Sequence, residues 1–291
     1  MKEKKLDTIW IQKISGERER FSLEKLQRSL LRAGVDEKSI NSIVLRTVEN
    51  IKDGMKTSEI YRYAFSLLKK ETYPAAIRYS LRRALFELGP SGFPFEKFVS
   101  EIFRQNGYDV QTGVILQGAC VSHEVDIVAK KDTTHIFIEC KFHNEQGVKT
   151  DVKVALYVHA RFLDLQKAHM ILESKNTASE NIHDGWIITN TKLTQDAISY
   201  AECCGLHLVS WEYPEVGNLQ DLILETGVYP ITILSKLSAN NKKILLEQGV
   251  ITCSDIKNNI KLFKSLGISD EKIRNIVQES REISEKLNIK K

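Results

Sequence analysis

The stretch HEVDIVAKKDTTHIFIECK, residues 123–141, contains two apolar strand-like segments joined by a short polar turn. Asp126 lies in the first segment, and Glu139 and Lys141 lie at the end of the second. Side chains alternate between the two faces of a strand, so Glu139 and Lys141 point the same way while Cys140 points the opposite way. Charged side chains that emerge from apolar strands need a compensating partner. The pattern predicts that two carboxylates and a lysine gather at paired strand ends.

This combination of side chains suits metal-dependent cleavage of a phosphodiester bond. Carboxylates bind a hard divalent cation, and the cation lowers the pKa of a bound water. A lysine positions that water or stabilises charge on the phosphate. The alternative is a solvated charge pair at an exposed strand edge, which is common for an isolated Glu-x-Lys. The apolar residues on both segments favour the first interpretation.

A helix is predicted just before these strands, in FEKFVSEIFRQNGYDV, residues 95–110. At 100° per residue, its apolar residues form one face, with Glu96 beside that face and Glu101 on the solvent side. Gly107 is the expected end of the helix. Glu96 either supports the predicted site or, as an acid in the first turn, complements the helix dipole. Both interpretations remain open.

The motif and its surroundings resemble the Mrr-like restriction endonucleases of the PD-(D/E)xK superfamily. The resemblance covers the Phe-Glu helix, the Asp126 strand, the Glu139-Cys140-Lys141 tripeptide and the strand–helix–strand order of residues 185–211. It implies an α/β nuclease core with a mixed central sheet. It also implies that Asp126 and Glu139 bind Mg²⁺, that Lys141 assists the attacking water and that Glu96 supports the site.

The first ninety residues predict a β-hairpin followed by helices. The expected helix starts are Ser22, then Asp36 or Ser39, then Thr57 or Ser58, and finally Pro74 in the first turn of the fourth helix.

This region is similar to the ATP-cone, a nucleotide-sensing module. Lys13, Gly16, Phe21 and Lys25 occupy that family's hairpin and helix positions, and Arg78-Tyr79 represents the pair in its closing helix. The resemblance implies a regulatory adenine nucleotide, ATP or dATP, bound through Lys13, Lys25, Arg78 and Tyr79. Lysines suit phosphate as point charges, although a solvated role for both lysines stays open. No G-x-x-x-x-G-K-[ST] stretch occurs, which argues against a P-loop motor.

The segment ELGPSGFP, residues 87–94, predicts a domain boundary because it contains two glycines and two prolines. We therefore expect an ATP-cone-like domain at 1–90, a nuclease domain at 91–225 and an all-α domain at 226–291. The last resembles helix-hairpin-helix modules, and Lys242 and Lys243 are its candidate DNA contacts. A plain packing or dimerisation domain is the alternative.

Charge and composition narrow the class of protein. The middle domain is net acidic and both flanks are net basic, as expected if the flanks help to hold a polyanion. No apolar run approaches the roughly 18 residues of a membrane span. The N-terminus lacks an apolar signal core, and the five cysteines show no metal-binding spacing. We expect a cytoplasmic protein with free thiols and no membrane partner.

Together these features predict a Mg²⁺-dependent endonuclease of restriction type that acts on double-stranded DNA. Lys149 and Lys153 are further candidate phosphate contacts, with an ordinary helix-surface role as the alternative. Two other functions stay open: a non-catalytic, nucleotide-responsive DNA-binding regulator, and a nuclease for repair intermediates or RNA. A homodimer is also open, because a double-strand cut usually takes two active sites.

Overall fold

The structure, a computed structural model, describes residues 9–13, 16–145, 147–173 and 184–287. The chain divides into two compact units, the first ending at Leu81 and the second beginning at Arg82. None of the helices in these described ranges combines the length and apolarity that crossing a membrane requires.

The first unit begins with an antiparallel hairpin and continues with helices. Its elements are β1 Trp10–Gln12, β2 Arg18–Arg20, α1 Leu23–Arg32, α2 Glu37–Asn50, α3 Thr57–Glu71 and the part of α4 Tyr73–Phe86 that precedes Arg82. Leu30, Ile43, Ala64 and Leu68 are among the fully buried residues of its core.

Local hydrogen bonds explain where the first helices begin. The Ser22 hydroxyl accepts from the Lys25 amide at 3.2 Å, and the Asp36 carboxylate accepts from the Ser39 amide at 3.0 Å, as capping chemistry predicts. The expected cap at Thr57 or Ser58 is wrong. Helix α3 instead has Lys56 at its N-cap, and the Lys56 amide donates to the Glu59 carboxylate at 3.0 Å.

The second unit is built around a five-stranded sheet. Its elements up to the last strand are α5 Phe93–Gln105, β3 Asp109–Gln117, β4 Ser122–Lys131, β5 Thr134–Lys141, β6 Lys149–Thr150, α6 Val152–Glu173, β7 Asp184–Thr189, β8 Lys192–Leu193, α7 Gln195–Cys204 and β9 His207–Val209. The sheet order is β3-β4-β5-β7-β9, and β6 and β8 form a separate parallel pair.

The sheet is mixed. Strands β3, β4 and β5 pair antiparallel, whereas β5, β7 and β9 pair parallel. The change occurs after β5 because α6 carries the chain back to the start of β7, and a parallel connection requires such a crossover. The predicted α/β core with a mixed central sheet and helical flanking regions is confirmed.

Helix α6 packs on the face of the sheet that carries Phe137. Val158, Phe162 and Leu165 of α6 join Phe137 and Ile187 in one buried cluster. Side chains alternate along β5, so Glu139 and Lys141 point to the same side as Phe137, toward α6. The other long helix of this region, α5, contacts β3, β4 and β5.

The remainder of the second unit is helical. It comprises α8 Leu219–Thr226, a 3₁₀ turn at Ile231–Ile233, α9 Ala239–Glu247, a second 3₁₀ segment at Cys253–Asn259, α10 Ile260–Ser265 and α11 Asp270–Leu287. The buried Glu279 carboxylate of α11 accepts from the Ser235 and Lys236 amides at 3.0 and 3.1 Å. This contact anchors the last helix to the segment that precedes α9.

Candidate active site

The strand register brings Asp126 and Glu139 side by side. Strands β4 and β5 pair Ile127 with Ile138, so Asp126 and Glu139 are the next residues beyond that pair. The Cys140 amide donates to Asp126 Oδ2 at 2.8 Å. This bond holds the Asp126 carboxylate against β5.

Both carboxylates are partly removed from water. Burial is the main cause that raises the pKa of Asp126. Burial and then the charge of Asp126 raise the pKa of Glu139. The positive charge of Lys141 acts on both carboxyls in the opposite direction, lowering each pKa. Because Lys141 affects both pKa values, its ammonium lies near both acids. Lys141 is also exposed at the end of β5, so its ammonium is open to solvent.

Glu96 approaches the same place from the first turn of α5. Burial raises its pKa to about 7, and the charges of Asp126, Glu139 and Glu124 contribute. Because the charges of these three acids act on Glu96, its carboxyl lies near the strand carboxylates as well as in the first turn of its helix. The structure therefore brings Glu96, Asp126, Glu139 and Lys141 together, and their roles stay predictions.

Arg161 of α6 is a site residue that the sequence did not indicate. Its Nη1 donates to Glu139 Oε2 at 2.5 Å, and its Nη2 donates to the Glu124 carbonyl oxygen. The side chain is buried, and its guanidinium lies over the rings of Phe137 and Tyr157. The signal in the sequence was an arginine on the buried stripe of a helix, three residues after Val158 and four before Leu165.

A buried polar network fixes the chain just beyond Lys141. Asn190 Oδ1 accepts from the His143 amide at 2.9 Å, and Asn190 Nδ2 donates to the His143 carbonyl at 2.8 Å. His143 Nε2 lies 3.0 Å from Thr150 Oγ1, which donates to Thr189 Oγ1 at 3.2 Å. The network holds the C-terminal ends of β5 and β7 close to strand β6.

The donor set suits a hard divalent cation. In the part of the chain that the structure describes, no three His, Cys, Asp or Glu side chains form a ready-made metal cluster. Mg²⁺, however, is commonly held by one or two carboxylates and keeps several waters. Asp126 and Glu139 provide such a pair, and burial raises the pKa of both, so a bound cation would stabilise carboxylates that are partly removed from water.

Comparison with known proteins identifies the parts of the chain. Residues 90–213 match the family described as restriction endonuclease, and residues 9–85 match the ATP cone domain. Residues 229–284 match the family described as AF1548-like, C-terminal. An uncharacterized protein of Archaeoglobus fulgidus is 34% identical over 186 residues, which make up 64% of this chain and 99% of that protein. The chain belongs to the AF1548-like family.

A solved structure agrees with this assignment. The crystal structure of AF1548, a protein of unknown function, is 33% identical, with a TM-score of 0.53, and the match covers 67% of this chain and all of that one. The MspJI restriction endonuclease in complex with a 27-mer oligonucleotide is 13% identical with a TM-score of 0.32, over 73% of this chain and 44% of that one. That second likeness is too weak to carry an argument.

In this member of the AF1548-like family, the ATP cone domain places the two predicted lysines around one carboxylate. Glu19 lies 3.2 Å from the Lys13 ammonium and 3.1 Å from the Lys25 ammonium. Lys13 also lines a cavity with Gln12, Gly16, Lys56 and Ser58.

Arg78 and Tyr79 lie elsewhere in the ATP cone domain. Arg78 donates to the Ala33 carbonyl at 3.4 Å, and Tyr79 stacks on Tyr61 with ring centroids 4.9 Å apart. Neither residue is among those that line the Lys13 cavity.

The four lysines predicted to contact DNA differ in their surroundings. Lys149 in β6, Lys153 in the first turn of α6 and Lys243 in α9 are exposed. The Lys242 ammonium instead donates to the Thr232 carbonyl and lies 3.5 Å from Glu87. The resemblance of this C-terminal region to helix-hairpin-helix modules stays a prediction.

Replacing Glu96 with glutamine is expected to stabilise the metal-free protein at pH 8 by about 1 kcal/mol and to change its stability by much less at pH 5. The pKa of Glu96 is about 7 in the folded protein against a usual 4.5, so the folded state holds the extra proton between these values. Stability is therefore lost as the pH rises through this window. The expected gain is modest because Glu96 is only half-buried and solvent screens its charge.

Urea unfolding in EDTA at both pH values measures this effect. Glu101→Gln is the matched control, because Glu101 pairs with Arg104 on the same helix. An equal change in Glu96→Gln at both pH values would contradict the explanation.

Proposed function

We propose that this protein is a Mg²⁺-dependent endodeoxyribonuclease of restriction type that hydrolyses phosphodiester bonds in double-stranded DNA. The observation that carries the proposal is the convergence of Glu96, Asp126, Glu139 and Lys141 beside the C-terminal end of the central strand β5, where the strand pairing and the bond from the Cys140 amide to Asp126 hold the two strand acids together. This end of β5 belongs to a region that matches the restriction endonuclease family. If these four residues lay on separate surfaces, they would not support a nuclease site.

In this proposal Asp126 and Glu139 hold the cation through their carboxylate oxygens. The cation would supply Lewis acidity and lower the pKa of a water. Arg161 donates to Glu139 Oε2, and the Cys140 amide donates to Asp126 Oδ2. Among the described residues no hydrogen bond engages the other oxygen of either carboxylate, Glu139 Oε1 or Asp126 Oδ1. These two contacts orient the carboxylates before any cation or DNA arrives.

Lys141 and Glu96 act on the reacting groups in this proposal. The Lys141 ammonium is exposed and close to both acids, so it can donate to the attacking water or to a phosphate oxygen. The Glu96 carboxyl has a pKa near 7, which suits a group that accepts a hydrogen bond or a proton from water at neutral pH.

DNA binding is proposed to involve exposed lysines. Lys149 in β6 and Lys153 in the first turn of α6 follow the His143 segment in the chain, and Lys243 is exposed on α9. Such contacts position the DNA backbone without reading its sequence. Lys242 is left out of the proposed contacts because its ammonium is already bound to Thr232 and faces Glu87.

Regulation by ATP or dATP is proposed to act through the ATP cone domain. The cavity that contains Lys13, Lys56 and Ser58 is the place where phosphate oxygens would find two ammonium groups and a hydroxyl. Glu17 and Glu19 now pair with Lys13, so an incoming phosphate would have to displace or share these carboxylates.

A plasmid assay tests the proposal. Purified protein is incubated with supercoiled DNA, methylated and unmethylated, in Mg²⁺ or in EDTA, with and without ATP or dATP. We expect nicked and linear products in Mg²⁺ and none in EDTA. Asp126→Asn, prepared in parallel, should not cleave, and ATP or dATP should change the cleavage rate of the wild type. Absence of cleavage together with nucleotide-dependent retardation of DNA would replace the nuclease with a DNA-binding regulator.

A further inference from the structure

Helix α6 carries large apolar side chains on its outer side, together with the exposed Lys153 and Lys167, as well as on its inner side. Its inner residues, Ala155, Val158, Phe162 and Leu165, belong to the core against the sheet. The apolar side chains on its outer side are largely open to solvent: Leu156 is 46% exposed, Tyr157 61%, Leu163 50% and Met170 68%. A surface helix normally carries polar residues opposite its buried stripe, and a helix that is apolar all round is normally covered.

The outer residues have the spacing of a helix that pairs with another helix. Leu156, Leu163 and Met170 follow one another at intervals of seven, and the small residue Ala160 lies four after the first and three before the second. The alternating steps of four and three run Leu156, Ala160, Leu163, Lys167 and Met170, as in paired helices, so the exposed Lys167 shares this seam with the apolar side chains. We call Leu156, Tyr157, Ala160, Leu163 and Met170 the outer stripe.

The outer stripe continues onto the turn between β3 and β4. Val121 in that turn is 58% exposed, and it lines one shallow depression together with Tyr157, Ala160 and Leu163. Exposed to this extent, these side chains form an apolar patch on the order of 500 Å², near the upper end of what a typical monomer exposes. A standard interface buries about 800 Å² on each partner. The stripe and Val121 therefore supply most of the apolar centre that such an interface needs.

We infer that the outer stripe is the contact surface for a second copy of this chain, with the two α6 helices antiparallel. An isologous pair makes the same patch serve both partners. Antiparallel pairing about Leu163 sets Leu156 of one copy opposite Met170 of the other. It also keeps the exposed Lys153 and Lys167 away from their own counterparts, whereas parallel pairing would set each lysine against itself.

The surface adjoins the candidate active site. Tyr157 of the stripe lies under the Arg161 guanidinium, 5.1 Å from ring centroid to Cζ, and Arg161 bonds to Glu139. Pairing through α6 therefore places two sites beside one symmetry axis. The functional consequence, that the pair cuts both strands, rests on the proposed nuclease activity, but the interface itself does not.

The oligomeric state of the full chain tests the interface. We expect sedimentation at micromolar concentration to give about twice the chain mass of 33.2 kDa, and we expect Leu163→Asp to give the single-chain mass. Leu45→Asp is the matched control, because Leu45 is a similarly exposed leucine of the other unit and should leave the dimer intact. A monomeric wild type, or a dimer that persists in folded Leu163→Asp, would overturn the inference.

Disulfide trapping tests the orientation. In a background with the exposed Cys120 and Cys203 replaced by serine, Leu163→Cys should cross-link with itself, and Leu156→Cys should cross-link with Met170→Cys. Efficient self-linking of Leu156→Cys would instead show parallel helices and overturn the antiparallel arrangement.

Plasmid cleavage separates this inference from the proposed function. Leu163→Asp should still nick supercoiled DNA, while its rate of linear product falls at least tenfold relative to its rate of nicking. If mass changes as expected but neither protein cleaves, the interface stands and the nuclease proposal fails. If the wild type cleaves as a monomer, the nuclease stands and the interface fails.

Discussion

Lys141→Ala is expected to reduce the rate of plasmid cleavage at least about 100-fold without changing the stability of the protein appreciably. Lys141 is exposed, so truncating it removes little packing. Its ammonium is nevertheless close enough to Asp126 and Glu139 to lower the pKa of both carboxyls. Its loss removes a positive charge from the place where a phosphate would gain negative charge. Single-turnover rates in Mg²⁺, compared with DNA affinity measured separately, give the size of the effect on the chemical step.

Lys131→Ala is the matched control for this experiment. Lys131 is an exposed lysine at the opposite end of the same β4–β5 hairpin, where its ammonium donates to the Asn106 carbonyl. We expect this variant to cleave within about threefold of the wild type. A comparable loss of rate in both lysine variants would indicate a general effect of charge on DNA binding and would remove Lys141 from the proposed site.

Arg161→Met is expected to lower the free energy of unfolding of the metal-free protein by about 2–4 kcal/mol. The Arg161 side chain is 8% exposed and the Glu139 side chain 19% exposed, so the substitution leaves a largely buried carboxylate without its partner. It also removes the bond from Nη2 to the Glu124 carbonyl. Urea unfolding in EDTA measures the loss.

A second substitution isolates the cause of that loss. The double variant Arg161→Met with Glu139→Gln should recover part of the lost stability, because the unpaired charge is gone. Arg28→Met is the surface control, since Arg28 pairs with Glu24 in solvent and should cost less than about 0.5 kcal/mol. If Arg161→Met costs no more than this control, Arg161 does not balance the charge of Glu139.

The parts of the fold that local patterns determine could be predicted from the sequence. The mixed α/β core follows from the order of the apolar segments. Helix α5 follows from its single apolar face, and its end follows from Gly107, which has φ 85°. The cap of α3 was not predicted, because Thr57 and Ser58 already lie inside the helix and the Glu59 carboxylate closes its first turn by accepting from the Lys56 amide.

The candidate site shows the same division between local and tertiary information. Side chains alternate between the two faces of β5, so the two-residue spacing of Glu139 and Lys141 is enough to predict that both lie on the same face. Arg161 reaches Glu139 only because α6 crosses back over the sheet, and that crossing depends on packing along the whole helix. Lys242 was predicted as a DNA contact from its charge, but the segment at Thr232 and Glu87 engages its ammonium. Such tertiary partners leave no local pattern in the sequence.

The position of β5 in the middle of the sheet has a consequence for how the protein is made. Strand β5 lies between β4, which precedes it, and β7, which is synthesised more than forty residues later. The chain beyond Lys141 is fixed through His143 by Asn190, just after β7. A ribosome-bound chain in which β7 has not yet been synthesised therefore contains Glu96, Asp126, Glu139 and Lys141 but lacks the strand and the Asn190 contacts that hold the end of β5 in place. We expect nascent or prematurely ended copies to lack the proposed nuclease activity, which would arise only after nearly the whole domain has left the ribosome.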